Sequence, residues 1–392
     1  MSASRSYLDW NATAPLLPAA REACCRALDT LGNPSSIHAE GRAARAIVED
    51  ARAAVAALVG GEAENVVFTS GATEAANALI TQGLAGCCGR DLPRGLPVLV
   101  GATEHAAVLA AAGEAERLPV DANGLIRQDI LEQRLKAIGP ALVAIQLANN
   151  ETGVVQDIAS LARLVHAHGG AIVVDAVQGP GRIALDIAAL GADALMLSAH
   201  KFGGPKGVGA IVFADSRTRL ASAAILGGGQ ERGQRGGTEN VPGIAGMGAA
   251  ARAVKAEFDA HTLNQLRDGF ENRLKALAPD VRIAGEGVAR LPNTTLFAIP
   301  GITAEKALIA FDLAGVAVSS GSACSSGKVK ASHVLEAMGA ADGVKAGAIR
   351  LSLGRTTVAH EIDQALDVIE RLVARRVARN SASDDTFAAS AA

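Results

Sequence analysis

A chain of 392 residues is long enough for two domains and a large core. Hydrophobic residues make up 49% of it and charged residues 20%, an ordinary globular balance, and a net charge of −3 gives no bulk electrostatic reason to bind nucleic acid. No apolar run approaches the ~20 residues of a membrane span, and the N-terminus has no signal-peptide core, which together point to the cytoplasm and away from a membrane partner.

In chain order, residues 8–15 read as an extended segment and 18–31 as a helix stopped by Gly32. A turn cluster at 32–36 precedes an alanine-rich helix over 39–59 that ends at Gly60 and Gly61. Strands and helices then alternate: strand 65–70 into helix 71–77, strand 97–101 into a helix after His105, strand 141–147 into the turn 149–153, and helix 160–168 into strand 171–175. Strands 194–197 and 209–213 flank the segment that carries Lys201. A glycine-rich basic loop spans 226–240, and a long helix with breaks covers 241–277. Beyond it lie strands 293–299 and 348–352, helices near 304–314 and 359–379, and a polar, alanine-rich stretch, 380–392, expected to be disordered.

This pattern predicts an α/β fold in which a large domain, 15–255, has a mostly parallel sheet covered by helices. A smaller α/β domain takes residues 1–14 and 256–379, including the loop around Cys324.

Asp175 and Lys201 stand at the ends of two successive strands, and in a parallel sheet such ends share one edge, where ligands bind. A carboxylate for a pyridinium nitrogen and an amine for an aldehyde are what pyridoxal 5′-phosphate (PLP) requires. Ser70–Glu74 joins a strand to a helix start and offers donors to a phosphate, or is an ordinary helix cap. His105 is placed to stack on a ring or shuttle protons as a catalytic residue, or to be structural; Asn150 and Gln178 are placed to donate to the ring oxygen or to be loop amides; Ser198 and His200 could serve the phosphate. Arg350, inside an apolar strand, needs an acidic partner, either a structural one or a substrate carboxylate. Cys324 sits in a run of glycines and serines, which suits either an incidental thiol or a working thiolate on a loop. Cys24, Cys25, Cys87 and Cys88 read as small packing residues, and no cysteine or histidine spacing suggests a metal site.

Over residues 7–376 the chain resembles the cysteine desulfurases of the NifS/IscS type, in the class V aminotransferase family of fold type I PLP enzymes. The resemblance rests on the motifs at 69–74, 149–156, 174–178, 198–201 and 319–325, in that order. It implies that Lys201 holds PLP, Asp175 pairs with the ring nitrogen, Gln178 with the ring hydroxyl, and His105 stacks on the ring with Asn150 nearby. Ala72, Thr73, Ser198 and His200 would bind the phosphate, joined by Thr238 from the other subunit of a homodimer. Arg350, with Asn11 or Asn33, would hold the carboxylate of L-cysteine, and Cys324 would take the sulfur as a persulfide for a sulfur-acceptor protein such as an iron-sulfur scaffold. Two departures stand out: Arg235-Gly-Gly-Thr238 varies the usual motif slightly, and the C-terminus lacks the aromatic acceptor-docking ending of the IscS subgroup. Two alternatives remain. One is another class V PLP enzyme, an aminotransferase or selenocysteine lyase, which would not need Cys324 for cysteine turnover. The other is a non-catalytic sulfur-relay protein, against which the intact Lys201, Asp175 and Cys324 count.

Overall fold

The computed structural model describes residues 5–87, 92–93, 95–257, 259–321 and 332–390, the stretch 379–390 by its backbone alone. The described residues form two compact units: those within 12–150 and 155–257, and those within 5–11, 151–154 and 259–390. The short excursion Glu151–Val154 had no sequence signal. No helix among the described residues is long and apolar enough to cross a membrane.

The larger unit is built on a seven-stranded sheet. Across it the order is Val66–Thr69, Gly209–Phe213, Ala194–Ser198, Ala171–Asp175, Leu142–Gln146, Val98–Gly101 and Glu116–Leu118. The central strands are apolar runs because both faces are covered: Val143, Ile145, Ile172, Val174 and Leu195 join one core cluster, and Leu142, Ala144, Val173, Ala194 and Met196 join another. Only Gly209–Phe213 runs against its neighbours, pairing antiparallel with both Val66–Thr69 and Ala194–Ser198. The reason is the connection: residues 199–208 hold only a single turn of 3₁₀-helix, and a parallel return needs a crossover of a dozen or more residues, usually helical.

The helices Pro18–Leu28, Ala39–Leu58 and Val241–Ala256 pack closely through glycines. A Cβ on Gly248 would lie 2.6 Å from the Cα of Ala51, and one on Gly246 would strike the Cys24 sulfur. Cys24 is therefore a packing residue, as is the buried Cys87, whereas Cys25 is exposed and Cys88 lies outside the described residues.

The long helix expected over 241–277 is two helices, Val241–Ala256 and Ala260–Leu277. The second starts afresh because Asp259 caps it, accepting from the Thr262 amide at 3.1 Å.

The smaller unit has a four-stranded antiparallel sheet in the order Arg282–Ile283, Thr294–Ala298, Ile349–Ser352, Ser319–Ser320. Phe270, Phe297, Phe311, Leu351 and Ile369 fill its core. Its last helix runs from Ala359 to Ser390, past the Asn380 at which the sequence suggested disorder; no glycine or proline interrupts that stretch.

Candidate active site

Within the larger unit, five strand ends and the segments that follow them meet at one edge of the sheet. The register is level there: Gln146 lies opposite Asp175, and Asp175 opposite Met196. They enclose a cavity of about 580 Å³, lined among others by Ala72, Thr73, His105, Asn150, Asp175, Gln178, Ser198, His200 and Lys201. Residues spread over 72–201 in the sequence thus line one cavity.

Asp175 ends its strand with a part-buried carboxyl whose Oδ1 accepts from the Val177 amide at 3.0 Å. Burial raises its pKa above the ordinary carboxylate value, despite that amide and the nearby His105 and Lys201. A carboxylate held this way gains from a cationic N–H placed against it. Lys201 closes the 3₁₀ turn Ala199–Lys201, and its Nζ donates to the Ala12 carbonyl at 3.0 Å. His105 caps the helix Ala106–Ala112, its Nδ1 accepting from the Ala107 amide at 3.2 Å, which leaves the proton of the neutral ring on Nε2.

The turn Ser70–Glu74 is closed by the Ser70 amide donating to Glu74 Oε2 at 2.8 Å. Gly71 has φ +156°, a backbone that L side chains rarely adopt, and a Cβ there would meet no protein atom. A gap next to unhindered backbone and the Thr73 hydroxyl, with Ser198 and His200 on the same cavity, is a donor set suited to an oxyanion.

Burial first, then the positive Lys201, Lys206 and Arg182, push the His200 pKa down to about 4. In the unfolded chain it returns to the ordinary ~6.5. The unfolded state therefore binds the extra proton first, so stability is full above pH ~6.5 and falls as the pH drops toward the folded value. Melting temperature should decline over that window in wild type and decline less in His200→Gln; matching curves for the two proteins would remove His200 as the cause.

Other sequence candidates lie elsewhere. Asn33 is exposed and turned to the Ser35 amide, at 2.9 Å, and Thr238 is exposed; neither lines this cavity. Asn11 and Arg350 belong to the smaller unit. There Asn11 is 1% exposed, donating to Thr294 Oγ1 at 2.9 Å and accepting from Asn293 Nδ2 at 3.1 Å. Arg350 occupies an inner strand and pairs with Asp9 at 2.6 Å, the acidic partner its burial demanded. Cys324 lies outside the described residues.

Two residues had gone unnoticed. Arg182, 5% exposed, donates to the carbonyls of Gln178 at 3.2 Å and Lys201 at 3.1 Å, fixing the backbone of two site residues at once. Glu104, 1% exposed, accepts from the Gln146 amide at 2.8 Å; burial, reinforced by Asp175, raises the pKa of its carboxyl well above the usual range. Its packing explains Gly101, where a Cβ would come within 2.6 Å of Glu104 Oε1. The Thr103-Glu-His105 step hinted at Glu104; nothing near Arg182 in sequence announced it.

Residues 6–365 match the family model described as aminotransferase class-V. The chain belongs to the class-V aminotransferase family. This class-V chain is 42% identical over 381 residues to a cysteine desulfurase of Cereibacter sphaeroides, an alignment spanning 94% of the chain and 96% of that relative. The class-V fold is shared with the X-ray structure of a NifS-like protein from Rickettsia africae ESF-5, at 34% identity and TM-score 0.84, over 94% of this chain and 99% of that one. A structure described as SspA in complex with cysteine matches at 28% identity and TM-score 0.76, covering 90% of this chain and all of that one (100%).

Proposed function

We infer that this protein is a PLP-dependent cysteine desulfurase, converting L-cysteine to L-alanine and retaining the sulfur as a persulfide on Cys324. The observation that carries the reading is the single cavity shared by the Asp175 carboxyl, the Lys201 amine and the Ser70–Glu74 turn. An acid for a ring nitrogen, an amine for an aldehyde and donors for a phosphate fit PLP at three separate points. The named relatives add support for cysteine as the substrate.

When bound, PLP supplies an electron sink for the carbon next to the substrate amine. The chain's own residues do the rest. Lys201 would hold the cofactor, and its Nζ would move the α-proton. Asp175 would keep a proton on the ring nitrogen and Gln178 would donate to the ring oxygen, with His105 and Asn150 lining the same cavity against the ring. Ala72, Thr73, Ser198 and His200 take the phosphate, with Thr238 contributed across a homodimer. Arg350 would take the substrate carboxylate in exchange for its present partner Asp9, with Asn11 or Asn33 in support once either leaves the bonds described above. The Cys324 thiolate attacks the substrate sulfur. An S–S bond forms, the carbon–sulfur bond breaks, and the electron pair left on carbon takes up a proton to become the methyl group of alanine. A cytoplasmic homodimer that passes its sulfur to an acceptor such as an iron-sulfur scaffold completes the proposal.

The direct test is to incubate the purified protein with L-cysteine and a reductant, where alanine and sulfide should appear in equal amounts. Sulfide without alanine, or neither product, sinks the reading. Asp175→Asn gives a second check. The amide still accepts from Val177 but cannot hold a proton on the ring nitrogen, so turnover should fall by roughly 10²-fold or more. The cofactor-free variant should melt no lower than wild type at neutral pH, because burial disfavours the charge it removes. Near-normal turnover would make Asp175 a structural residue.

A further inference from the structure

The strand Val66–Thr69 is an edge of the large sheet and leads straight into the turn Ser70–Glu74. An edge strand leaves backbone groups to be satisfied by something other than a neighbouring strand. Here side chains do so. Glu231 Oε2 accepts from the Phe68 amide at 2.9 Å, and Arg52 Nη1 donates to the Val66 carbonyl at 2.8 Å. Arg52 and Glu231 also grip each other through two bonds, of 2.7 and 2.9 Å, and the guanidinium stands 4.9 Å from the centre of the Phe68 ring. Both side chains are almost completely buried, at 3% and 2% exposure. Such a pair is poor evidence of a stabilising role, because desolvation offsets its attraction and apolar residues could fill the same space.

Glu231 reaches this place through an unusual backbone. Glu231 and Arg232, with φ of 46° and 56°, are the only non-glycine residues among those described that have positive φ. Side chains avoid that region because the Cβ crowds the following carbonyl, and two such residues in succession persist only where the surroundings hold them. The same glycine-rich loop makes a second tie. Arg235 Nε donates to Glu74 Oε1 at 2.9 Å and Nη2 to Oε2 at 3.4 Å, on the carboxylate that also accepts from the Ser70 amide. The loop is thus fastened at both ends of the short segment 66–74, once on its open edge and once on its turn.

We propose that Arg52 and Glu231, together with Arg235, are positioning residues for the phosphate end of the cofactor site, using the glycine-rich loop as a clamp that sets where Ser70–Glu74 presents its donors. The proposal deepens the PLP reading and rests on it. Arg52, Glu231 and Arg235 do not line the cavity, so they act through the turn. The ring end of the site hangs on Asp175 and Lys201, which come from other strands and are bonded to Val177 and Ala12 respectively. Loosening the clamp should therefore weaken the grip on a phosphate and spare the grip on a pyridine ring.

The test uses full-length wild type, Glu231→Gln and Arg235→Gln, each stripped of cofactor and titrated with PLP and with pyridoxal, which has the ring and aldehyde but no phosphate. In each variant the Kd for PLP should rise by roughly tenfold, equivalent to about 1.4 kcal/mol, while the Kd for pyridoxal stays within about twofold of wild type. Glu231→Gln leaves the buried Arg52 without its full counter-charge and can fail to fold. Arg235→Gln breaks a pair that is 22% and 15% exposed, so it carries the test alone if need be. Variants in which both ligands weaken by the same factor, or neither does, remove the clamp and leave the PLP reading standing. Wild type that binds no PLP removes both.

Discussion

In Lys201→Ala, cysteine turnover should fall by roughly 10⁴-fold or more, and the purified protein should lose the yellow colour of the wild type. Lys201 is asked to do two things, to hold the cofactor through its amine and to move a proton with it, and alanine can do neither. The geometry around it favours a clean result. The Lys201 backbone is fixed by Arg182 and by its place in the turn after Ala194–Ser198, neither of which depends on the side chain. The amine makes a hydrogen bond to the Ala12 carbonyl at the wall of a cavity, not in the apolar core. The variant should accordingly fold, with a far-UV circular dichroism spectrum and melting temperature near those of wild type. Turnover within tenfold of wild type in a folded variant would end the PLP mechanism.

Cys324→Ser should still bind PLP and L-cysteine yet make sulfide and persulfide at least roughly 10³-fold more slowly. The argument is chemical. A thiolate attacks sulfur readily and keeps it as a persulfide, whereas a serine hydroxyl is a poor nucleophile toward sulfur and forms no such product. The substitution swaps one atom in a segment rich in serine, so the effect reports on nucleophilicity and not on shape. Mass analysis of wild type after exposure to cysteine should find the added sulfur on Cys324 and on none of Cys24, Cys25, Cys87 or Cys88. Cys87 is buried, which removes it from competition; the half-buried Cys24 and the exposed Cys25 are the informative controls. Desulfuration by Cys324→Ser at the wild-type rate would favour the aminotransferase or selenocysteine-lyase reading.

The sequence by itself determined the elements and the edge at which they deliver chemistry. Apolar runs such as 142–146, 171–175 and 194–198 could be recognised as buried strands because burial on both faces demands an unbroken apolar stretch. Once they were strands of a parallel sheet, Asp175 and Lys201 had to share an edge, and the ordered motifs carried the family. Tertiary structure alone decided which polar atoms meet. Gly209–Phe213 is antiparallel because its connection is short, which no residue in the strand itself reveals. Asn11 is occupied by Asn293 and Thr294, partners 282 and 283 residues away. Arg182 grips Lys201 from 19 positions upstream, and Glu231 finds Arg52 across 179. Hydrophobic patterning is local and periodic, so it survives in one dimension. A hydrogen bond or ion pair is a contact of a few ångströms between side chains whose separation along the chain is arbitrary, and only the folded backbone brings the two ends together.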